Sequence, residues 1–443
     1  MYQNKNILVL GMARSGIAVS KLLAKYNTKV TLSDMKEQDK EVVKELEALG
    51  IKIIITEKQE DLVSKDYDIV VKNPAIKRTV PAVVKAKELG LPVINEIEVS
   101  YKLIPKDCPI ITVTGSNGKT TTTTLIYEFL KTTGKKIHFC GNMGIPLASV
   151  VEDIKPGEIV VMEISDHQLC DMYEFTSNIS VMTNLSQVHL DFHDGYETYK
   201  QTKKKIFNNH TKDSLAVLNG ANEDVLELTK DIPDRKVYFS AKKKCDAYLE
   251  DNAIYYNGER IIDLSDIKIK GNHNYENIMV AIIVSKEFGV TNDQIKSVLK
   301  DFGGVEHRIE FVKELNGRKI YNDSKATNNE STIIALKSFT EPTILLMGGL
   351  DRNIPFDPIK DALTNVKLVV CYGETKDKIK EFMNANNVNT IVVETLVEAV
   401  HKAYENSESG DVILLSPACA SWDQFPDFEV RGKVFKEEIN KLN

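Results

Sequence analysis

Short apolar runs alternate with amphipathic segments along most of the chain. Near the N-terminus, the apolar runs Asn6–Leu10 and Lys29–Ser33 are followed by Ile17–Tyr26 and Glu41–Leu49 respectively, whose apolar residues recur at helical spacing. Strands that alternate with helices predict a parallel sheet covered by helices on both faces. Further strands of this sheet are predicted at Ile51–Ile55, Ile69–Val71 and Val93–Ile94.

The alternating pattern restarts at two places, which predicts three domains. Two prolines, Pro105 and Pro109, precede a new β-rich run at Ile110–Thr114, and another alternating unit begins at Ile309. We therefore expect domains at 1–101, 102–304 and 305–443, which agrees with about 100–200 residues per domain. Later strands are predicted at Ile159–Glu163, Ile179–Thr183, Leu215–Leu218, Lys319–Tyr321, Ile344–Met347, Leu368–Tyr372, Ile391–Val393 and Val412–Leu415.

The β-rich runs between residues 237 and 263 have a different texture, because they are short and have no helical segments between them. Asn257-Gly258 lies between two of these runs and is a strong signal for a tight hairpin. We expect this insertion to form a small antiparallel sheet. Its predicted strands are Val237–Phe239, Ala247–Leu249, Ala253–Tyr256 and Arg260–Asp263.

The charge and hydropathy of the chain exclude several classes of protein. Its 57 Lys and Arg residues and 64 Asp and Glu residues give a net charge of −7, whereas nucleic-acid binders are usually basic. The longest apolar stretch, Ile278–Val284, is far shorter than the ~20 residues of a membrane-spanning helix. The N-terminus shows no leader pattern, and the six cysteines are isolated. We expect a cytoplasmic protein with reduced thiols, no membrane span and no nucleic-acid partner.

The strongest local motif is a glycine-rich loop between a predicted strand, Ile110–Thr114, and a predicted helix. Glycines let backbone amides approach phosphate oxygens, and the following helix N-terminus favours negative charge. Val113 stands where the usual spacing G-x-x-x-x-G-K-[ST] has its first glycine. The motif predicts a nucleoside triphosphate site. Its residues are Gly115, Ser116, Asn117, Gly118, Lys119, Thr120 and Thr121.

A triphosphate site alone is compatible with a kinase, a switch or a ligase. Glu163 ends a predicted strand and could bind magnesium, while His189 follows another strand and Lys203 lies in the helix-like stretch Tyr196–Phe207. A switch that only binds ATP does not need this second set of side chains. The segment Gly11–Gly16 also resembles a dinucleotide fingerprint, but its middle glycine is replaced by alanine, which weakens an oxidoreductase interpretation.

Taken together, the motifs resemble the muramyl ligase family. The segment 114–121 looks like that family's variant phosphate loop, which lacks the first glycine. The similarity runs from about residue 7 to about residue 435. Seven further segments are similar and follow the family's order: Gly141–Gly144, Glu163–Ser165, His189–Asp191, Gly271–Asn277, His307-Arg308, Asp323–Asn328 and Ser416–Ser421.

The resemblance implies a monomeric three-domain α/β enzyme of peptidoglycan precursor synthesis. It implies a Rossmann-like N-terminal parallel sheet, a central domain like P-loop ATPases and a Rossmann-like C-terminal domain. The last two segments are most like those of ligases that add D-glutamate to UDP-N-acetylmuramoyl-L-alanine through an acyl phosphate made with ATP. A sister ligase for another amino acid, or a ligase like folylpolyglutamate synthetase, is the alternative.

The resemblance also implies roles for individual residues. ATP would contact the phosphate loop together with Asn272, Asn277, Arg308, Asp323 and Lys325. Two Mg²⁺ ions would be bound by Ser116, Thr120, Glu163, His189 and a carbamate on Lys203. Lys119, Glu163, His189, Lys203 and Asn142 would be catalytic. The uridine substrate would contact Arg14, Ser15, Asp34, Lys36, Asn142, Ser165 and His189, and D-glutamate would contact Thr327, Arg352, Ser421, Trp422 and Phe428.

Four positions depart from the family's pattern. Asp166 and His167 stand where relatives commonly have Ser-Phe, which predicts a more polar wall beside the substrate. Ala75 replaces a glycine in the loop on the uridine side, and Trp422 replaces a smaller aliphatic residue beside Ser421. None of these changes removes a residue expected to contact phosphate or metal.

Overall fold

The computed structural model describes residues 2–142, 145–187, 192–352 and 354–442. The chain divides into two compact units, Met1–Asp301 and Phe302–Asn443. Within the described ranges its strands form three sheets, two in the first unit and one in the second. The predicted α/β organisation is confirmed. No helix in these ranges has both the length and the apolar character that crossing a membrane requires.

The first sheet is entirely parallel, with the strand order β3-β2-β1-β4-β5. Alternate residues of β1 face opposite sides: Ile7 and Val9 belong to one hydrophobic cluster, and Leu8 and Leu10 belong to another. Both faces are therefore buried, as the alternation of strands and helices predicts. The elements are β1 (Asn6–Leu10), α1 (Arg14–Ala24), β2 (Lys29–Asp34), α2 (Lys40–Ala48), β3 (Lys52–Ile55), β4 (Ile69–Lys72), α3 (Pro81–Glu88), β5 (Val93–Ile94) and α4 (Glu96–Tyr101).

The central sheet has the strand order β14-β13-β12-β11-β10-β9-β6-β8-β7. Its elements up to β11 are β6 (Ile110–Thr114), α5 (Lys119–Lys131), β7 (Ile137–Gly141), β8 (Ile159–Glu163), α6 (Asp166–Leu169), β9 (Ile179–Met182), α7 (Tyr196–Lys204), β10 (Leu215–Asn219), α8 (Glu223–Leu228) and β11 (Arg235–Ser240). The chain continues with β12 (Ala247–Glu250), β13 (Ala253–Tyr256), β14 (Glu259–Asp263), α9 (Asn272–Lys286) and α10 (Asn292–Asp301).

The antiparallel strands predicted around Asn257-Gly258 are present, but they do not form a sheet of their own. Strands β12, β13 and β14 pair antiparallel with one another, and β12 pairs in parallel with β11 through Phe239 and Ala247. One correction concerns Val237–Phe239, which was expected among the antiparallel strands but lies in β11, and β11 pairs in parallel with β10. The physical reason is that β11 is the last of the parallel strands in the order and has a free edge, which β12 covers.

The third sheet has the order β15-β16-β20-β17-β18-β19, and only β15 runs antiparallel to its neighbour. Leu345 and Met347 of β17 pack with α11 and α12 on one face, while Ile344 and Leu346 pack with α13 and α14 on the other. The elements are β15 (Glu310–Leu315), β16 (Arg318–Asn322), α11 (Asn329–Leu336), β17 (Thr343–Gly348), β18 (Val366–Tyr372), α12 (Lys376–Ala385), β19 (Thr390–Val392), α13 (Leu396–Glu405), β20 (Val412–Leu415) and α14 (Phe428–Lys441).

Candidate active site

The phosphate loop connects the buried strand β6 to the N-terminus of α5. Gly118 caps this helix with a φ of +83°, a left-handed conformation that glycine adopts without strain. Gly115 has a φ of +140°, and a Cβ there would lie 2.0 Å from the Thr183 hydroxyl oxygen. Both glycines are therefore required by backbone geometry. The strand, loop and helix follow one another as the sequence predicts, and loop amides before a helix N-terminus are an arrangement that can bind an anion.

Two residues after β9 fix the shape of this loop. The Ser116 amide donates to the Asn184 carbonyl oxygen at 2.9 Å, and the Asn117 amide donates to the Asn184 side chain at 3.0 Å. The Thr183 hydroxyl donates to the Asn117 carbonyl oxygen at 2.6 Å. Sequence reasoning missed Thr183 and Asn184. The available signal was that they directly follow a strand, and strands β9 and β6 are neighbours in the sheet.

Lys119 and Thr120 begin α5 and point to different partners. The Lys119 ammonium donates to the carbonyl oxygens of Gly115 and Ser116 at 2.8 and 2.9 Å, so its charge lies over the phosphate loop. The Thr120 hydroxyl donates to the Glu163 carboxylate at 2.7 Å. The next residue of the motif, Thr121, is buried in the same turn of the helix. The loop therefore places a cation and a potential metal-binding hydroxyl next to each other in sequence.

Glu163 is the centre of the candidate metal site. It ends β8, is 2% exposed, and accepts hydrogen bonds from Thr120 and from the Asn142 amide at 2.8 Å. A buried carboxylate beside a hydroxyl is a hard oxygen donor set that suits Mg²⁺. Ser116 does not join this pair, because its hydroxyl bonds with Tyr199 and Ser186. No cluster of three or more His, Cys, Asp or Glu ligands occurs within the described residues, and His189 lies outside them.

Lys203 lies beneath the phosphate loop and is fully buried. Its ammonium donates to the Thr114 hydroxyl at 3.2 Å and to the Gly115 carbonyl oxygen at 3.0 Å, and it lies 3.3 Å from the Asp166 carboxylate. Burial, followed by the nearby charge of Lys119, lowers the pKa of Lys203 to about 7. A neutral amine is therefore accessible near neutral pH. This is the protonation state that reacts with carbon dioxide.

Asp166, one of the residues that depart from the family's pattern, has a carboxylate that contacts three side chains. It lies 2.8 Å from His193 Nε2 and 3.2 Å from His167 Nδ1, in addition to its contact with Lys203. Asp166 is the first residue of α6, and Ser165 caps that helix through the Gln168 amide. The wall beside the phosphate loop is polar, and a more polar wall beside the substrate stays a prediction. The Ser165 hydroxyl also donates to the Gln168 side chain, so this candidate substrate contact has a structural partner.

Helix α9 contributes Asn277 to the back of the phosphate loop. Its side-chain oxygen accepts a hydrogen bond from Thr122 at 3.1 Å, and a Cβ at Gly118 would lie 2.5 Å from the same oxygen. Asn277 is buried, whereas Asn272 is the exposed first residue of the helix. Of these two asparagines, Asn277 is the one that lies against Gly118 and Thr122.

The N-terminal candidate residues lie at the carboxyl edge of the first sheet. Strand order reverses between β1 and β4, and ligands of open α/β sheets bind at such a switch point. The Asp34 carboxylate accepts hydrogen bonds from the Met12 and Lys36 amides at 2.7 and 3.0 Å. Across the switch point, Asn73 donates to the Ser15 hydroxyl at 3.2 Å. Arg14 and Lys36 are exposed at this edge.

The C-terminal candidates also gather at a switch point, between β17 and β20. Asp323 follows β16, Arg352 follows β17, and Ser421 and Trp422 follow β20, so the parallel register brings all these loops to one edge. The Lys325 ammonium lies 5.7 Å from the centre of the Phe428 ring. Ser421 is buried, Thr327 and Phe428 are partly buried, and Arg352 and Trp422 are exposed. The structure assigns Arg352 no contact with Ser421 or Thr327.

Asp323 is the buried carboxyl of this edge. It accepts hydrogen bonds from the Ser416 hydroxyl at 2.8 Å and from the Ile309 amide at 3.2 Å. Burial raises the pKa of Asp323 to about 7, although the Ser416 hydrogen bond and the charges of Arg308 and Arg431 oppose that rise. A carboxyl held this close to neutral can exchange a proton near neutral pH.

Three family models match successive parts of the chain. Residues 11–104 match the catalytic domain of the Mur ligase family, residues 113–285 match the Mur ligase middle domain, and residues 307–419 match the Mur ligase glutamate ligase domain. A UDP-N-acetylmuramoylalanine–D-glutamate ligase of Geobacillus kaustophilus is 44% identical over all of this chain and 98% of its own length. The chain belongs to the Mur ligase family. The resemblance read from the motifs is confirmed.

Further Mur ligases support the same family and fold. The enzyme of Bacillus cereus with the same name is 43% identical over 100% of this chain and 98% of its own. The solved UDP-N-acetylmuramate-alanine ligase of Thermotoga maritima is 21% identical, covers 99% of both chains and has a TM-score of 0.62. The MurF ligase of Thermotoga maritima, solved with ADP, is 18% identical over 99% of this chain and 96% of its own, with a TM-score of 0.58. These two structures show the fold of this Mur ligase.

Proposed function

We propose that this Mur ligase uses ATP to join D-glutamate to UDP-N-acetylmuramoyl-L-alanine, a step of peptidoglycan precursor synthesis. The observation that carries the proposal is the phosphate loop, with Lys119 over its carbonyl oxygens and Thr120 bonded to the buried Glu163. The name shared by relatives that are 43–44% identical over the full chain supports the choice of substrates.

The reaction needs ATP because a carboxylate is a poor electrophile. A carboxylate oxygen of the uridine substrate would attack the γ-phosphorus of ATP, ADP would leave, and an acyl phosphate would result. The D-glutamate amine would then form the amide bond, and phosphate would leave. We assign the triphosphate to Lys119 and the loop amides, with Asn272, Asn277, Arg308, Asp323 and Lys325 as further contacts. Bound Mg²⁺ offsets the charge of the phosphates, and Thr120 and Glu163 fit it.

We also propose that Lys203 is carbamylated and, together with Glu163 and His189, completes a second Mg²⁺ site. Ser116 stays a prediction for the first site. The buried, partly neutral amine supports the modification, in which the Lys203 nitrogen attacks carbon dioxide and loses a proton. The test is ¹³C NMR of protein in ¹³C-bicarbonate. A carbamate signal is expected in the wild type and in Lys204→Ala and should be absent from Lys203→Ala, whose turnover short-chain carboxylates should partly restore. A signal that persists in Lys203→Ala would refute the assignment.

The two substrates are assigned to the switch points of the outer sheets. We propose that Arg14, Ser15, Asp34 and Lys36 bind the uridine diphosphate group, with Asn142, Ser165 and His189 near the reacting end. D-Glutamate would contact Thr327, Arg352, Ser421, Trp422 and Phe428, because an acidic amino acid needs a cation and hydroxyl donors. The domain division at 101/102 and 304/305, a monomeric state and a cytoplasmic location also stay predictions.

The function is tested by phosphate release from ATP with Mg²⁺ and UDP-N-acetylmuramoyl-L-alanine. D-Glutamate should stimulate release with one amide formed per phosphate, whereas L-glutamate, L-lysine, meso-diaminopimelate and L-alanine should not. Lys119→Ala should abolish turnover, while Lys135→Ala, which changes an exposed lysine just after α5, should not. Stimulation by another amino acid would instead indicate a sister ligase.

A further inference from the structure

Arg431 is completely buried in the C-terminal unit and connects two loops of the candidate amino-acid site. From α14, its Nε donates to the Ser324 hydroxyl at 3.0 Å and its Nη2 donates to the Ser324 carbonyl oxygen at 2.7 Å. Its Nη1 donates to the Cys419 carbonyl oxygen at 3.0 Å. Ser324 lies between Asp323 and Lys325, so one guanidinium links the loop after β16 to the loop after β20.

The loop after β20 needs such support because its backbone is strained. Ala418 has a φ of +56°, a left-handed conformation that costs a non-glycine residue about 1 kcal/mol or more. The Cys419 carbonyl oxygen that Arg431 binds follows this residue directly, and Ser421 lies two residues further on. A planar guanidinium fixes both direction and distance, which a lysine ammonium does not. Arg431 therefore determines where the Ser421 loop lies relative to the Lys325 loop.

The charge of Arg431 is also unusual for a buried group. Buried arginines are normally paired with a carboxylate. Here all three hydrogen bonds that the guanidinium donates go to uncharged oxygen atoms. Its positive charge acts on Asp323, where it opposes the rise in pKa that burial causes. A buried cation whose hydrogen bonds all go to uncharged atoms favours an anionic ligand at the edge that it supports.

We propose that Arg431 is a positioning residue for the amino-acid substrate, aligning the Asp323–Thr327 and Pro417–Ser421 loops and favouring an acidic amino acid between them. The inference rests on the proposed function, because it assigns these loops to D-glutamate. Arg431 touches no substrate in this role. Its effect should appear in the binding of the amino acid and not in the binding of the uridine substrate, whose proposed contacts lie in the first unit.

Arg318 provides a matched control in the same unit. Its Nε donates to the Ser407 hydroxyl at 2.7 Å, its Nη2 donates to the Ser407 carbonyl oxygen at 2.6 Å, and its Nη1 donates to the Asn316 carbonyl oxygen at 3.0 Å. This is the same pattern of one serine and one further carbonyl. Arg318, however, begins β16, whereas Asp323 follows the end of that strand, so Arg318 lies at the opposite edge of the sheet. It is partly buried.

The test compares Arg431→Lys with Arg318→Lys in the full chain. Arg431→Lys should raise KM for D-glutamate by about tenfold, which corresponds to one charge-assisted hydrogen bond, and should change KM for the uridine substrate less than about twofold. Arg318→Lys should lower thermal stability at most. If Arg431→Lys lowers Tm as Arg318→Lys does and leaves KM for D-glutamate unchanged, the proposal is wrong.

A second variant covers the case in which Arg431→Lys does not fold. Ser324→Ala removes one acceptor of the guanidinium and keeps its carbonyl partners, so it should raise KM for D-glutamate by a smaller factor and leave KM for the uridine substrate unchanged. An unchanged KM for D-glutamate would again count against the proposal. If the wild type uses a different amino acid, the proposed function fails separately. The positioning role of Arg431 is then tested by the same selective rise in KM, measured with that amino acid.

Discussion

A buried ion pair connects the first sheet to the loop after α6. Lys72, the last residue of β4, places its ammonium 2.7 Å from the Asp171 carboxylate, and both side chains are 0% exposed. Arg78 approaches the other carboxylate oxygen at 3.0 Å and is 38% exposed. The Lys72 ammonium also donates to the Ile76 carbonyl oxygen at 2.8 Å, which fixes the loop beside the candidate uridine site.

We predict that removing either charge of this pair is costly and that removing both is much less so. Asp171→Asn leaves the Lys72 ammonium buried without an anion, and breaking a buried pair in this way costs about 3–5 kcal/mol. Lys72→Met should cost about 3 kcal/mol, towards the lower end of that range, because Arg78 still offsets the carboxylate. The double variant Lys72→Met/Asp171→Leu removes both charges and should cost less than either single change, since apolar replacements of buried pairs are often near neutral.

The measurement is urea unfolding of the full chain followed by hydrogen exchange of peptides from each unit. Peptides from β4 and α6 should lose protection in both single variants, whereas peptides from β16 should not change. Glu41→Gln breaks an exposed i,i+3 pair with Lys44 and should have no measurable effect. Lys72→Met should also raise KM for the uridine substrate. Additive losses in the double variant, or single losses below about 1 kcal/mol, would refute the electrostatic reasoning.

Two further predictions concern ATP binding and pH. A Cβ at Gly118 would lie 2.5 Å from the Asn277 oxygen, so Gly118→Ala should raise KM for ATP by about tenfold or more. Gly134 also has a positive φ, but a Cβ there would have no atom within 4 Å, so Gly134→Ala should leave KM for ATP unchanged. Equal effects of the two substitutions would contradict the steric argument. Burial raises the pKa of Glu96 from 4.5 to about 7, so its contribution to stability is complete below about pH 4.5 and is lost as pH rises through 7. Glu96→Gln retains an acceptor for the Ala148 amide but cannot ionise. In urea unfolding, its free energy of unfolding relative to that of the wild type should therefore rise by about 2–3 kcal/mol between pH 5 and pH 8. Equal pH dependence of the two proteins would disprove this.

The sequence was most informative where one local pattern determines the structure. The β-rich run Ile110–Thr114, the glycines after it and the lysine that starts α5 are contiguous, so their order alone predicts a strand, a loop and a helix N-terminus. Parallel strands likewise follow from apolar runs separated by helical segments. The pairing of Glu163 with Thr120 was implied only by the family resemblance, and the 2.7 Å hydrogen bond between them required the structure.

The sequence was least informative where partners are far apart along the chain. Lys72 and Asp171 are separated by almost one hundred residues, and nothing local distinguishes them from the many surface charges. Arg431 lies in a helix that also carries exposed charged residues, so its complete burial could not be predicted from the pattern. The attachment of β12 to the free edge of β11 depends on sheet order, which periodicity does not encode.

The most direct test of the proposed chemistry follows oxygen from the substrate carboxylate. UDP-N-acetylmuramoyl-L-alanine labelled with ¹⁸O in its alanyl carboxylate is incubated with ATP, Mg²⁺ and D-glutamate, and the released phosphate is analysed by mass spectrometry. Formation of an acyl phosphate predicts one ¹⁸O atom in each phosphate, with release dependent on D-glutamate. Phosphate without the label, or labelled phosphate formed equally with L-glutamate, would contradict the account.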